Sequence, residues 1–99
     1  MTEFTLTDNT TRNIDLGNAN VMAVTNLAGN RVQVFIDYNP GNGIYASAIK
    51  GSAGYPDPFI LRQGETKAVN RSDLESEHVR VGVKGDGARI KFVYDPLGD

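Results

Sequence analysis

Few residues of this 99-residue chain have the types and spacing that catalysis requires. His78 is its single histidine, and two acidic residues, Glu75 and Glu77, lie just before it. A catalytic triad built on His78 would need an activated serine, and the sequence has no nucleophile-elbow motif to present one. Glu77 and His78 are neighbours on an expected strand, so their side chains should point to opposite faces and would not share a metal ion. We therefore predict no catalytic residues, no metal site and no enzymatic activity.

Charged side chains in the last third of the chain are the more prominent feature. An acidic run, defined as Asp73, Glu75 and Glu77, precedes four basic residues, which are Arg80, Lys84, Arg89 and Lys91. Such charges attract a partner of opposite sign when the fold gathers them on one surface. Whether these charges form one binding surface therefore depends on the arrangement of the strands that carry them.

The four basic residues lie on two segments in which apolar and polar residues alternate, a pattern typical of half-buried β-strands. The apolar positions are Val79, Val81 and Val83 in the first segment and Ala88, Ile90, Phe92 and Tyr94 in the second. A two-residue type I′ turn at Asp86-Gly87 would pair every inward valine with an apolar residue, as Val83–Ile90, Val81–Phe92 and Val79–Tyr94. A three-residue loop would set Val83 opposite Arg89 and move each side chain to the wrong face. The sequence therefore predicts a hairpin over residues 79–94.

In this hairpin the four basic side chains form one outer surface, the basic face, on which Lys84 lies opposite Arg89. Lysine and arginine commonly protect an exposed sheet edge against unwanted pairing, which is one interpretation of the pattern. The other interpretation is a docking surface for an acidic partner. Together with the acidic run, the basic face would suit head-to-tail self-association or docking on a charged protein lattice.

Shorter strands are indicated elsewhere along the chain, around Phe4 and Leu6 and over residues 21–25, 31–38, 44–49, 59–61 and 67–69. Gly29-Asn30 would join two of them as a second hairpin, and the sequence does not decide whether Val34 pairs with Thr25 or with Val24. Residues 72–75 match a capping box, which indicates one helical turn. With seven or eight short strands and no long helix, we predict an all-β fold, a single antiparallel β-sandwich or small barrel over residues 1–99.

The composition limits the range of partners and compartments. A net charge of -2 and a pI of about 5.3 argue against a general nucleic-acid binder, which needs a broad basic surface. The absence of cysteine excludes disulfides and thiolate metal sites. No apolar run approaches the roughly 20 residues of a membrane span, and the first residues lack a secretion signal. We expect a soluble protein of the cytoplasm or of a virion, without a cofactor.

Aromatic residues lie in or beside the two longest loops, namely Tyr38, Tyr45, Tyr55 and Phe59. Exposed rings in loops stack on sugars or on protein partners. The alternative is that Tyr38 covers the core while Tyr55 and Phe59 hold their loop in place. The first alternative would make Tyr38, Tyr45 and Tyr55 contact residues for a ligand.

In size and strand pattern the whole chain resembles the small β-sandwich decoration, cement or collar proteins of tailed bacteriophage particles. This resemblance implies a non-enzymatic protein that oligomerises or docks on a capsid or neck lattice and stabilises it. A second resemblance concerns residues 90–99, a strand followed by Asp95-Pro96, which is similar to a segment of aegerolysin-like membrane-binding sandwiches. It implies a soluble sugar- or lipid-binding module, although this chain has no tryptophan for a membrane interface.

Overall fold

The alternating apolar residues form nine short β-strands in the computed structural model, which describes residues 1–52, 54–56 and 58–95. The strands are β1 (Thr2–Thr7), β2 (Thr11–Asp15), β3 (Val21–Asn26), β4 (Val32–Tyr38), β5 (Ala46–Ser47), β6 (Phe59–Leu61), β7 (Thr66–Asn70), β8 (His78–Lys84) and β9 (Arg89–Tyr94). Residues 96–99, which complete the segment of the second resemblance, lie outside the described residues. In the part that the structure describes, no helix has the length and hydropathy needed to cross a lipid bilayer.

The strands form two antiparallel sheets that pack face to face, so the predicted all-β sandwich is confirmed. Sheet 1 has the strand order β1-β9-β3-β7, and sheet 2 has the order β2-β8-β4-β5, with β6 also paired to β4. Every strand except the two-residue β5 directs one or more side chains into the space between the sheets. Val24, Ile90 and Phe92 from sheet 1 and Val34, Ile36 and Val81 from sheet 2 are fully buried there. Burial of side chains of this size stabilises the fold by about 1.5–3 kcal/mol each.

The predicted hairpin over residues 79–94 is wrong, because its two strands belong to different sheets. β8 pairs with β2 and β4 in sheet 2, whereas β9 pairs with β1 and β3 in sheet 1. The turn chemistry differs as well, since φ is positive at Gly85 (143°) and Gly87 (71°) and Asp86 is not among the residues with positive φ. The valines of β8 and the apolar residues of β9 therefore face each other across the core rather than side by side within one sheet.

The predicted hairpin at Gly29-Asn30 is wrong for the same reason, because β3 and β4 belong to different sheets. Neither register proposed for Val34 is formed, because β3 pairs with β7 and β9 while β4 pairs with β8. The chain changes sheet at Asn26, the one buried polar residue among those the structure describes. Its side-chain amide donates hydrogen bonds to the carbonyls of Asn30 (2.8 Å) and Leu61 (3.0 Å), and its Oδ1 accepts one from the Ala28 N–H (2.8 Å). Asn26 thus holds the crossing segment against β6.

The turn between β1 and β2 also crosses from one sheet to the other. Asp8 and Asn9 both have positive φ (25° and 59°), a conformation that aspartate and asparagine tolerate better than most residues. This turn contacts the one between β8 and β9, since the Gly85 N–H donates to Asn9 Oδ1 (3.2 Å) and the Asp8 N–H to the Ala88 carbonyl (3.2 Å). The two crossings therefore support each other at one end of the sandwich.

The helical turn begins earlier than predicted and lacks the expected cap. A 3₁₀ turn covers Arg71–Asp73, and Asn70 is its N-cap residue without a side-chain capping bond. The capping box expected at residues 72–75 is not formed, because the chain is already extended at Leu74. Leu74 is buried and bridges to Ile49, so packing of this side chain ends the turn.

Candidate functional site

The separation of β8 from β9 divides the predicted basic face. Arg80 and Lys84 alternate with the buried valines of β8 and lie on the outer face of sheet 2. Arg89 and Lys91 alternate with the buried residues of β9 and lie on the outer face of sheet 1. The outer faces of a sandwich point in opposite directions, so one surface with all four cations does not exist. The use of each cation in an interface stays a prediction.

The acidic run is likewise divided between different environments. Asp73 Oδ2 accepts a hydrogen bond from the Tyr55 hydroxyl at 2.9 Å. Glu75 is exposed, and Glu77 lies beside His78. The Tyr55 hydroxyl in turn accepts a bond from the Asn70 N–H (3.0 Å), and the ring packs against Phe59 at 6.3 Å between centroids. Tyr55 therefore holds its loop in place, as one of the two interpretations of the loop aromatics proposed.

A cleft on the outer side of sheet 2, with a volume of about 410 Å³, brings several polar and aromatic side chains together. Its polar and aromatic lining comes from the ends of three neighbouring strands and the loop after β4, and consists of Asn13, Asp15, Tyr38, Asn39, Tyr45, His78 and Arg80. Asn13 and Asp15 point outward from β2 because Ile14 between them is buried. Their partners across the strand pair are Arg80 and His78.

The loop that supplies Asn39 and Tyr45 is ordered by its own side chains. Asn39 Oδ1 accepts hydrogen bonds from the N–H groups of Gly41 (2.9 Å) and Gly43 (3.1 Å). Gly41 has a φ of 113°, a conformation that glycine adopts at the lowest cost. The chain then turns so that Ile44 is 70% exposed while Tyr45 folds back over the sheet.

Tyr45 rests on an arginine that is itself fixed by an ion pair. Arg80 Nη2 lies 2.9 Å from Asp37 Oδ2, and these side chains are 30% and 18% exposed. The guanidinium carbon lies 3.7 Å from the centroid of the Tyr45 ring, which is cation–π geometry. Arg80 Nε is buried and has no hydrogen-bond partner among the described atoms. Arg80 therefore supports one face of the Tyr45 ring. Because the guanidinium group is paired with Asp37, Arg80 is less available to an acidic partner.

His78 lies between two carboxylates at the edge of the cleft. Its Nδ1 is 3.7 Å from Asp15 Oδ1, and its Nε2 is 3.4 Å from Glu77 Oε1. The expectation that Glu77 and His78 point to opposite faces is wrong, because β8 begins at His78 and strand alternation does not extend to Glu77. Ligand atoms of Asp15, Glu77 and His78 all lie within 4.8 Å of one another. All three side chains are largely solvated, and such exposed pairs contribute little to stability.

No protein-family model, curated protein or solved structure matches this chain. The geometry of the cleft is therefore the basis for a functional assignment. The cleft offers two phenol rings, two amides, a carboxylate and an imidazole within one concave surface. Amides both donate and accept hydrogen bonds, and carboxylates accept them, so this set matches a ligand with several hydroxyl groups.

Tyr38 and Tyr45 are the two sequence-predicted contact residues that the structure brings together, and Tyr55 does not line this cleft. Asn13, Asp15 and Asn39 were missed by the sequence analysis. A weak signal existed, since Asn13 and Asp15 alternate around Ile14 before the turn residues Gly17 and Asn18. The pairing of β2 with β8, which carries them to His78 and Arg80, has no signature in the sequence.

Proposed function

We propose that the protein is a non-enzymatic binding protein that takes a carbohydrate, one or two sugar rings in size, in the cleft on sheet 2. The observation that carries this proposal is the convergence of Tyr38 and Tyr45 with Asn13, Asn39 and Asp15 around about 410 Å³. Ligand sites for small molecules have volumes of about 300–1,000 Å³, so the cleft is at the small end of the range.

The combination of an aromatic ring with polar side chains in the cleft favours a sugar over a lipid as the ligand. The apolar face of a sugar ring packs on an aromatic ring, and Tyr45 is 40% exposed above Arg80. Hydroxyl groups would bind the Asn13 amide and the Asp15 carboxylate, which lie on the same outward side of β2. An acyl chain would leave these polar groups without partners, which costs about 1–3 kcal/mol for each buried group.

The common alcohol, thiol and amine nucleophiles do not occur among the described residues of the cleft, which is consistent with a binding protein. Among the described residues that line the cleft, none is Ser, Thr, Cys or Lys. Catalysis by one of these four nucleophiles, which act with a base within hydrogen-bond reach, therefore has no candidate in the cleft, whose reactive groups are a carboxylate, an imidazole and two phenols. His78 has carboxylates as its nearest charged partners instead.

A glycan array probed with the wild-type protein tests the proposal, with Tyr45→Ala as the variant and Ile44→Ala as the matched control. Ile44 is the neighbouring exposed residue and does not line the cleft. We expect saccharide binding that Tyr45→Ala abolishes and Ile44→Ala preserves. An array without hits, or hits that survive Tyr45→Ala unchanged, would refute the carbohydrate proposal.

The second candidate function is a structural component that self-associates or docks on a protein lattice, the role implied by the resemblance to phage particle proteins. It is favoured by apolar side chains exposed outside the cleft, of which Ile44 and Ile60 are 70% and 51% exposed. Sedimentation velocity over a range of protein concentrations tests it. A species larger than a dimer that grows with concentration supports this role, and a monomer at every concentration contradicts the self-associating form of it.

A further inference from the structure

The free edges of the two sheets are protected unequally. On β2, one edge of sheet 2, Arg12 points to the inner side and its guanidinium carbon lies 4.3 Å from the Phe4 ring centroid. On β7, an edge of sheet 1, Lys67 points inward over the rings of Tyr55 (5.0 Å) and Phe59 (5.5 Å). Inward charges at an edge prevent another strand from adding there, because pairing would bury them. β5 and β6 are only two and three residues long, which has the same effect.

β1 is the edge strand whose own residues provide no such protection, and the charge that lies over it, at the Phe4 ring, is that of Arg12 from β2. Its six residues pair with β9 in one unbroken register from Thr2 to Thr7, so it contains no bulge. Its inward side carries Phe4 and Leu6, and its outward side carries Glu3 and Thr5 with Thr7. β1, which is described in full, thus has neither a proline nor an inward charge. A long regular edge of this kind offers unpaired backbone N–H and carbonyl groups to an added strand.

We propose that β1 is a dimerisation edge, at which two copies of this chain pair antiparallel around a twofold axis at Thr5. The two four-stranded sheets then form one continuous eight-stranded sheet. This register places Thr5 opposite the partner's Thr5 and Phe4 opposite the partner's Leu6, so outward residues meet outward residues and apolar residues meet apolar residues. A register centred on Phe4 would instead place Leu6 opposite the partner's Thr2.

Charge complementarity identifies a second copy as the occupant of this edge. Glu3 lies near one end of β1, and Arg89 of β9 pairs with Thr7 at the other end. The twofold axis reverses the direction of the strand, so Glu3 faces the partner's Thr7 with the partner's Arg89 directly behind it. In both copies these opposite charges lie on the same face with one strand between them, and no pair of like charges is placed directly opposite. The edge lies on sheet 1 and the cleft on sheet 2, so the dimer does not depend on the proposed carbohydrate site.

Disulfide trapping tests the register, because the chain has no cysteine of its own. Thr5→Cys places two thiols opposite each other across the axis, at the separation of directly paired residues. Thr66→Cys is the matched control, since Thr66 is exposed on the same face at the opposite edge of sheet 1. At low protein concentration under mild oxidation, we expect Thr5→Cys to cross-link at least tenfold faster than Thr66→Cys. Equal rates would overturn the proposal.

A charge exchange at the edge tests the contact between the two copies. Glu3→Arg and Arg89→Glu should each weaken the dimer about tenfold in sedimentation equilibrium, because each places like charges together at two symmetric positions. The double variant should restore the wild-type dissociation constant. Lys84→Glu, which makes the same charge change on the other sheet, should have no effect. A wild-type protein that stays monomeric at its solubility limit, or a double variant that is not restored, would overturn the proposal.

Discussion

The guanidinium group of Arg80 lies over the ring of Tyr45, with 3.7 Å between its central carbon and the ring centroid. Asp37 binds the same guanidinium group at 2.9 Å, so Arg80 contacts a carboxylate and an aromatic ring at the same time on sheet 2. The charge that the sequence suggested as a docking feature is therefore engaged within the monomer. Its role in the cleft is to hold Tyr45 in place.

We expect a measurable energetic coupling between Arg80 and Tyr45. In a double-mutant cycle with Arg80→Met and Tyr45→Ala, the coupling in the free energy of unfolding should be about 0.5–2 kcal/mol, the range for partly desolvated cation–π pairs. Urea unfolding of the four proteins at low and high salt gives the value. Additive effects of the two substitutions would show that the stacking does not position Tyr45.

Gly82 should tolerate no side chain, because the Phe35 ring of the neighbouring strand covers it. Gly82 and Phe35 are directly paired, and a Cβ atom at position 82 would overlap the ring. We expect Gly82→Ala to lower the free energy of unfolding by about 1–3 kcal/mol, since the ring must leave its position. Chemical denaturation measures the loss.

Two further variants decide whether the ring is the cause of that loss. Gly29→Ala is the matched control, because an added methyl group there meets no atom within 4 Å and φ is not in the left-handed region. It should change stability by no more than about 0.5 kcal/mol. Phe35→Leu combined with Gly82→Ala should recover part of the loss. If the Phe35→Leu background leaves the cost of Gly82→Ala unchanged, the overlap explanation is wrong.

Asn26 should be among the most sensitive polar positions of the described chain. Asn26→Ala removes the donor for two carbonyls and the acceptor for the Ala28 N–H at a site that is 1% exposed. The expected loss in the free energy of unfolding is about 2–3 kcal/mol, because the Leu61 carbonyl and the Ala28 N–H lose their partner at a buried site. Asn30→Ala, whose side chain makes one long exposed bond of 3.4 Å, serves as a control with a small effect. Equal losses in the two variants would contradict this assignment.

We expect the ionisation of Tyr55 to lower the free energy of unfolding at high pH. Burial, and to a lesser extent the hydrogen bond and charge of Asp73, raise the pKa of its hydroxyl above the usual 10.0, against the opposing Asn70 N–H bond. The unfolded chain then ionises first, so the contribution of Tyr55 is complete below pH 10 and is lost as pH rises through the higher pKa of the folded protein. Tyr55→Phe should therefore lose less stability than wild type between pH 9 and pH 11, as measured by urea unfolding. Parallel pH profiles would contradict this.

The fold class was accessible from the sequence because alternation records which side of a strand faces the core. Val79, Val81 and Val83 do face inward, as the pattern predicts, and so do Ile90 and Phe92. Alternation carries no information about which strands are hydrogen-bonded neighbours. Two sets of apolar side chains can pack against each other as neighbours within one sheet or as opposite faces of a sandwich. The short turn after Lys84 favoured the hairpin, and pairing of β8 with β2 and β4 outweighed it.

The candidate site was less accessible for a related reason. Tyr38 and Tyr45 stood out as aromatic residues beside a loop, which is a local signal. Asp15 and His78 are far apart in the chain and meet only because β2 pairs with β8. The sequence predicted that the side chains of Glu77 and His78 point to opposite faces. This prediction was wrong because Glu77 lies just before the first residue of β8, and element boundaries are the least reliable part of pattern analysis.

The most direct measurement of the carbohydrate proposal is a two-dimensional NMR titration of the isotopically labelled protein with the saccharide that binds best on the array. We predict that the largest chemical-shift changes fall on the backbone amides of Asn13, Asp15, Asn39 and Tyr45, with smaller changes on Val79 and Arg80. Amides of β9 and β3, on the opposite sheet, should shift little. Changes concentrated on sheet 1, or an absence of changes at saturating saccharide, would contradict the assignment of the cleft as the binding site.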